Sequence, residues 1–468
     1  MTVFDHLFLS HIINNVSRNA KARWSHARCS ISSPIIVIYH ASLPSGIVNL
    51  DDIKASACPL CETYPILLYG VEHSNISPSY SKTILSDPRD LVREAQTDDS
   101  LSKLVERTVQ RGKEFVLATG PLFELQLHHK ESHDRLVLLI DHTLCDGLGA
   151  RNLFADWLNL LSGIPLPTQP EGLPARMDDT VSLHPLVPTN WNILSSYLSP
   201  IVKLFESPSP PHYPPKPSAD YDSVTAKQQF SEFEIPQSDL SGLLAISKDH
   251  KVPTIHPVIH VASLFALYRA STWSNTGFYS SVPISERNEK LGHPRSTGNY
   301  VTFHFSTDHI EPSTMFWEHA RSFSNTLRQP TTKSAARQAL AKLGQLEVPW
   351  EDYLKEVMND SNGPHKLSLA VSNVGVMELP QTGKLAGLVQ DVYFTQSASA
   401  MGAAAVVSIM STRGGSMSVS ISSKIGSLPP GIFETFTVQL KSLLQAVARG
   451  DVKESMSSTD SIPGVPDI

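Results

Sequence analysis

The chain has 468 residues, of which 41% are hydrophobic and 18% charged. That balance rules against an intrinsically disordered chain and provides for a sizeable core in two or more domains. The net charge of −7, from 38 Lys and Arg against 45 Asp and Glu, argues against a nucleic-acid binder that neutralises many phosphates.

In chain order, Pro34–Tyr39 is a β-branched run and predicts a strand. A helix is predicted from Asp51 to Glu62, capped by Asp51 or Asp52. Leu122–His128 alternates apolar with polar residues, as a half-buried strand does, and Leu136–Ile140 is a continuous apolar run expected of a strand covered on both faces. Ala150 opens a helical pattern through Leu161, with Gly163 placed to end it.

Proline then becomes dense, from Ser207 to Pro217. Fixed φ and missing N–H donors exclude a helix or a central strand there, so an extended linker is predicted. It divides the chain into a first unit over 1–195, a crossover at 196–222 and a second unit over 223–450. In the second unit, strands are predicted at Phe230–Ile235, Phe278–Ile284, Tyr300–Phe305 and Leu367–Val371. Helices are predicted at Ser238–Lys248, His256–Ala270 and about Pro430–Val447. Ala404–Met410 and Ser416–Ser422 predict a hairpin around Arg413-Gly414-Gly415. The fold class is therefore α/β with mixed sheets, followed by a polar flexible tail at 451–468.

Four cysteines are too few for a disulfide scaffold at this length. The opening residues lack a basic segment followed by an apolar one, and no window reaches about 18 uninterrupted apolar residues. A cytoplasmic protein with no membrane span is expected.

The segment richest in chemistry is His142-Thr143-Leu144-Cys145-Asp146-Gly147-Leu148-Gly149. A histidine just past a buried strand has a fixed backbone. Its neutral imidazole can accept a proton from a hydroxyl or amine near pH 7. Asp146 would hold the loop and, through it, the imidazole; Gly147 and Gly149 allow a tight turn and close approach of a ligand. Other constellations carry less. Cys58 and Cys61 sit beside apolar neighbours without a second pair to complete a zinc site, so they read as core packing. His256 and His260 share helical spacing, but the Glu of a metal-binding His-Glu-x-x-His is missing and Pro257 intervenes. No metal site is expected. Neither a serine nucleophile elbow nor a phosphate-cradling glycine loop is present.

His142–Gly147 resembles the His-x-x-x-Asp-Gly signature of the CoA-dependent acyltransferase superfamily, the chloramphenicol acetyltransferase-like group. Further segments match in order: Asp51–Pro65, Thr119–Phe123, Val282–Arg287 followed by Thr297-Gly298-Asn299-Tyr300, and Ser372-Asn373-Val374-Gly375. The resemblance spans roughly residues 25–448. Asp141 stands where condensation domains carry a first histidine. Asp391–Ser397 lacks the Asp-Phe-Gly-Trp-Gly of plant enzymes, so the chain looks most similar to fungal alcohol acetyltransferases.

The resemblance implies two similar lobes with an active-site tunnel between them. It implies an O-acyltransferase, most simply an acetyltransferase of secondary metabolism. Acyl-CoA would be the co-substrate rather than a bound cofactor, and the alcohol of a small metabolite the acceptor. His142 would be the general base. Asp146 and Arg287 would form a structural ion pair that shapes the loop. Asn373, Ser397 or a backbone N–H would stabilise the oxyanion. Two lobes in one chain suffice as a monomer. Two alternatives share these residues: a condensation or cyclisation enzyme using a carrier-protein-bound or intramolecular acyl group, and a non-catalytic metabolite-binding descendant.

Overall fold

A computed structural model describes residues 34–72, 79–82, 87–96, 100–116, 119–166, 217–271, 277–288, 295–344, 365, 367–399, 402–461 and 463. The proline-rich stretch lies outside these residues except for Pro217.

The first part of the chain runs β1 (Ile36–Pro44), α1 (Leu50–Thr63), β2 (Tyr69–Glu72), β3 (Ser79–Lys82), β4 (Val92–Gln96), α2 (Leu101–Lys113), β5 (Phe123–His129), β6 (His133–Asp141) and α3 (Gly147–Leu161). The second runs β7 (Gln228–Ile235), α4 (Gln237–Asp249), α5 (Ile255–Ala270), β8 (Gly277–Ser285), β9 (Val301–His309), α6 (Phe316–Arg328), α7 (Pro330–Gly344), β10 (Leu367–Met377), β11 (Gln390–Gln396), β12 (Ala403–Thr412), β13 (Met417–Lys424) and α8 (Ile432–Ala448). They form two mixed sheets, ordered β11-β1-β6-β5-β4 and β7-β13-β12-β10-β8-β9, with β2 and β3 as a separate ribbon.

Each sheet has its own core, as expected of a two-lobed α/β protein. In the first, Val37 and Tyr39 of β1, Leu136 and Leu138 of β6, and Leu125 of β5 pack with Trp157 and Phe154 of α3. The opposite face, with Ile36, Ile38, Val137 and Leu139, packs on Leu104, Val105 and Val109 of α2. This explains why β6 reads as a continuous apolar run: both faces are covered. In the second, Leu369, Val407 and Val419 of the sheet pack with Phe265 of α5 and Leu440 and Leu444 of α8.

The chain does not divide cleanly at the linker. β11 belongs to the first sheet, where it pairs antiparallel with β1 from Val37↔Gln396 to Ser42↔Gln390. Leu385, Val392 and Phe394 join the first core. Residues 379–397 therefore lie with the first lobe although they fall inside 223–450. The cause is edge pairing: β1 would otherwise present an unpaired edge, and β11 supplies the missing partner. Ser420 of β13 donates to the Phe394 carbonyl at 2.8 Å, tying this strand to the second sheet as well.

Two further readings change. The α1 cap is Asn49, not Asp51 or Asp52: its side chain accepts from Asp52 N at 2.9 Å while Asp52 accepts from Asn49 N at 3.0 Å, a reciprocal capping box. The segment after Gly450, expected to fray, is packed through Ser458. Val452 and Ser458 are buried, and the Val452 carbonyl accepts from the indole of the fully buried Trp317 at 2.8 Å. A buried tryptophan needs an acceptor, and the tail provides it.

Candidate active site

β6 ends at Asp141, and its last residues are held on both sides by the sheet. His142 N donates to the Ile35 carbonyl at 3.0 Å, so the histidine backbone is an extension of that sheet. The chain then turns. Asp141 Oδ1 accepts from Thr143 N at 2.8 Å, and Leu144 N donates to the Asp141 carbonyl at 3.0 Å. Asp146 caps α3, its Oδ1 accepting from Gly149 N at 2.9 Å.

The other carboxylate oxygen of Asp146 faces the second lobe. Oδ2 accepts from Arg287 Nη1 at 2.6 Å and from Tyr300 N at 2.8 Å. Burial pushes the Asp146 carboxyl up, but the Arg287 guanidinium and the N–H groups of Gly149 and Tyr300 outweigh it and hold the group below the usual carboxylate range. Arg287 also donates to the Ser296 carbonyl and lies 5.2 Å from the centre of the Tyr300 ring. The ion pair thus joins the loop after β6 to the segment after β8, and the bond from Tyr300 N joins it to the turn before β9.

The glycines act through crowding rather than through unusual φ. A Cβ on Gly147 would lie 2.8 Å from Val374 Cγ1 and 3.2 Å from Phe394 Cζ; one on Gly149 would meet Cys145, Arg287 and the Gly298 carbonyl at 3.0–3.3 Å. Left-handed backbone occurs across the interface, at Gly298 with φ 80°, whose carbonyl accepts from Asp146 N at 3.1 Å and Arg287 Nη2 at 3.3 Å.

His142 is 7% exposed and lines a cavity that opens to solvent. Its origin is a gap in the second sheet. β8 and β10 pair only at Leu369↔Ser280 and Ala370↔Ser281 and then separate. A bulge between Asn373 and Val376 keeps β10 turned away, with Gly375 at φ 75° and Arg151 of α3 donating to the carbonyls of Val374 and Val376 at 2.7 and 3.0 Å. Ser281, Ser285, Ser372, Asn373 and Gln396 give the cavity polar groups. Leu148, Val301, Phe303 and Phe394 give it apolar walls. Such a mixture suits an organic molecule held by a few oriented polar groups.

The structure therefore brings His142, Asp146, Gly147, Arg287 and Asn373 together. Asn373 Oδ1 accepts from Gly375 N at 2.8 Å, which leaves its amide N–H groups as its donors beside the cavity. Ser397 stands apart. Its hydroxyl accepts from Ile36 N at 2.9 Å and donates to the Pro34 carbonyl at 3.3 Å, so it splices β11 to β1 and leaves the oxyanion candidates. Sequence reasoning missed the cavity serines, Gln396 and one buried side chain. Asn299 places Nδ2 3.1 Å from His142 Nδ1 and 3.3 Å from the His142 carbonyl oxygen. The only available signal was its place in the Gly-Asn-Tyr segment. Among the described residues, no group of three or more His, Cys, Asp or Glu is placed to hold a metal, and no helix is long and apolar enough to cross a membrane.

Residues 94–428 match the family model described as alcohol acetyltransferase. Among solved structures, polyketide synthase associated protein 5 from Mycobacterium tuberculosis is 15% identical, with 93% of this chain and 99% of that chain covered at a TM-score of 0.63. TRI3 trichothecene 15-O-acetyltransferase from Fusarium sporotrichioides is 12% identical, covers 92% and 94%, and gives 0.66. The EpoB cyclization-docking bidomain of a nonribosomal peptide synthetase from Sorangium cellulosum is 14% identical, covers 94% and 83%, and gives 0.61. At these identities the likeness establishes the shared two-lobe fold. No curated protein sequence matches the chain.

Proposed function

The chain belongs to the alcohol acetyltransferase family, and from that premise we propose that it moves an acyl group, acetyl in the simplest case, from a CoA thioester to a hydroxyl of a small secondary metabolite. The observation that carries the reading is the placement of His142. A buried imidazole follows a strand end, meets a buried amide, and borders a solvent-open cavity with both polar and apolar walls.

The steps use groups this chain supplies. The acceptor O–H gives its proton to the imidazole of His142 as its oxygen attacks the thioester carbonyl. The C–O bond forms and the carbonyl π electrons move to oxygen. The amide N–H groups of Asn373 stabilise that oxyanion, a contribution of about 2.7–4 kcal/mol for one well-placed donor. Collapse breaks the C–S bond, and the departing thiolate takes the proton back from the imidazolium. No acyl-enzyme forms. General-base catalysis adds about 10²–10⁴-fold, and holding donor and acceptor in line contributes up to roughly 7–11 kcal/mol. The Asp146–Arg287 pair shapes the loop and takes no proton.

Mass spectrometry of the purified protein with acetyl-CoA and longer acyl-CoAs, against a panel of alcohols, amines and a metabolite extract, tests this reading. Acylated alcohol with free acyl-CoA is the expected result. Transfer only from a donor bound to a carrier protein, or only to amines, would replace the proposed donor or acceptor.

A further inference from the structure

We propose that Arg151 is a positioning residue for Asn373: its guanidinium pins the Val374–Gly375 peptide group, and that group holds the Asn373 amide where it meets the developing oxyanion. This rests on the oxyanion reading of Asn373 given above.

The linkage runs through one planar unit. The bulge in β10 takes this peptide out of the ladder: Cα pairing with β12 stops at Asn373↔Ile409 and resumes at Val376↔Ser411. Its two polar ends therefore take other partners. Arg151 Nη1 donates to the Val374 carbonyl at 2.7 Å, and Gly375 N donates to Asn373 Oδ1 at 2.8 Å. That carbonyl and that N–H belong to the same peptide group, and in a trans peptide they point in opposite directions. Holding the oxygen thus aims the N–H, and the N–H in turn holds one end of the Asn373 amide.

The backbone alone does not fix that orientation. Gly375 has φ 75°, and a glycine adopts φ of either sign at similar cost. The peptide can therefore turn over about its two flanking bonds, which would carry the N–H away from Asn373. Arg151 opposes this at two points, since the same Nη1 also donates to the Val376 carbonyl at 3.0 Å. Its planar fork is steadied by the neighbouring Asn152, whose Oδ1 accepts from Nη2 at 3.2 Å.

The placement of Arg151 also joins the two halves of the site. It lies one turn into α3, the helix that Asp146 caps from the loop carrying His142. One helix of the first lobe therefore sets both the histidine loop and, in the second lobe, the bulge that carries Asn373. Among the described residues the cavity is lined by Asn373 and Val374 but not by Arg151, so the effect of Arg151 on transfer is exerted through β10.

Amide hydrogen exchange of the full chain tests the linkage without a substrate. Val374-Gly375 is the only Val-Gly step in the sequence, so protein labelled with ¹³C at the valine carbonyl and ¹⁵N in glycine shows the Gly375 amide alone. Arg151→Ala and Asn373→Ala are each expected to speed its exchange about 10-fold, as the loss of one hydrogen bond does. Kinetics tests the consequence, with acetyl-CoA and an alcohol found by the panel above. The oxyanion develops only in the transition state, so Arg151→Ala should lower kcat about 10-fold or more with both KM values little changed. Arg151→Lys, which keeps a donor for one carbonyl, should fall between, and it carries the same comparison if the alanine variant does not fold. In the Asn373→Ala background the same replacement should change kcat less than about 2-fold, because its target is gone. Gly375 exchange at the wild-type rate in Arg151→Ala, or an equal loss of kcat in both backgrounds, overturns the proposal. If Asn373→Ala itself turns over at the wild-type rate, the oxyanion reading falls, and Gly375 exchange still decides whether Arg151 holds the peptide.

Discussion

His142 and His260 are both buried and both hydrogen-bonded, yet they have opposite surroundings. His260 lies inside α5, fully buried, with its ring stacked 3.9 Å from Phe323. Its Nε2 lies 3.3 Å from Ser280 Oγ and 3.7 Å from Asp308 Oδ2, and Asp308 also holds His319 Nε2 at 3.0 Å. Burial pushes the Asp308 carboxyl up, but its bonds to the two histidines prevail and hold it well below the usual carboxylate range. His142 has instead a neutral amide on one side and a cavity beside it. A histidine sealed between a ring and a carboxylate supports the fold. A histidine beside a cavity is the one placed for the proton transfer proposed above.

Substitutions test that contrast. The two carboxylates come first. Arg287→Ala leaves Asp146 buried without its cation and should cost about 3–5 kcal/mol in urea unfolding. An unfolding midpoint equal to wild type would show that the ion pair does not hold the loop. His260→Ala comes next. It takes one partner from Asp308, which keeps His319 and the Ser280 hydroxyl, and should cost about 1–3 kcal/mol, with transfer per folded molecule unchanged. Lost turnover in folded protein would abolish the distinction between the two histidines.

The pH dependence is subtler. Burial holds the His256 imidazole down to about 3 and that of His128 to about 4. Free histidine titrates near 6.5, so between these values the unfolded chain binds more protons than the folded one. Stability should therefore fall as pH drops from about 6.5, and His256→Gln should flatten that slope in urea unfolding at pH 7, 6 and 5. A slope identical to wild type would contradict the assignment. The smallest effect is expected at the Lys384–Asp52 pair, 2.7 Å apart on the surface. Lys384→Ala should cost under about 1 kcal/mol, and less still at high salt.

The sequence showed the structure best where the signal is local. β6 and the turn after it are legible because a covered strand needs an unbroken apolar run. The β12–β13 hairpin is legible because Gly414, with φ 69°, marks its turn. Joining β11 to β1 was not legible: it pairs residues some 350 positions apart, and nothing in Gln390–Gln396 names its partner. α2 escaped because Arg107 and Arg111 interrupt its narrow apolar face of Leu104, Val105 and Val109. At the site, His142, Asp146 and Arg287 lie in recognisable segments. Asn299 also lies in one, but its closeness to His142 appears only when the turn before β9 meets the loop after β6. Ser397 was misleading for the same reason, since its partners are backbone groups of β1.

The central claim is that His142 removes the acceptor's proton. The direct measurement is the rate of acyl transfer by wild type and His142→Ala, monitored by mass spectrometry with the same acyl-CoA and alcohol, with both proteins shown to share one unfolding midpoint. A fall of about 10²–10⁴-fold is expected in the variant. Transfer at the wild-type rate by folded His142→Ala would contradict it.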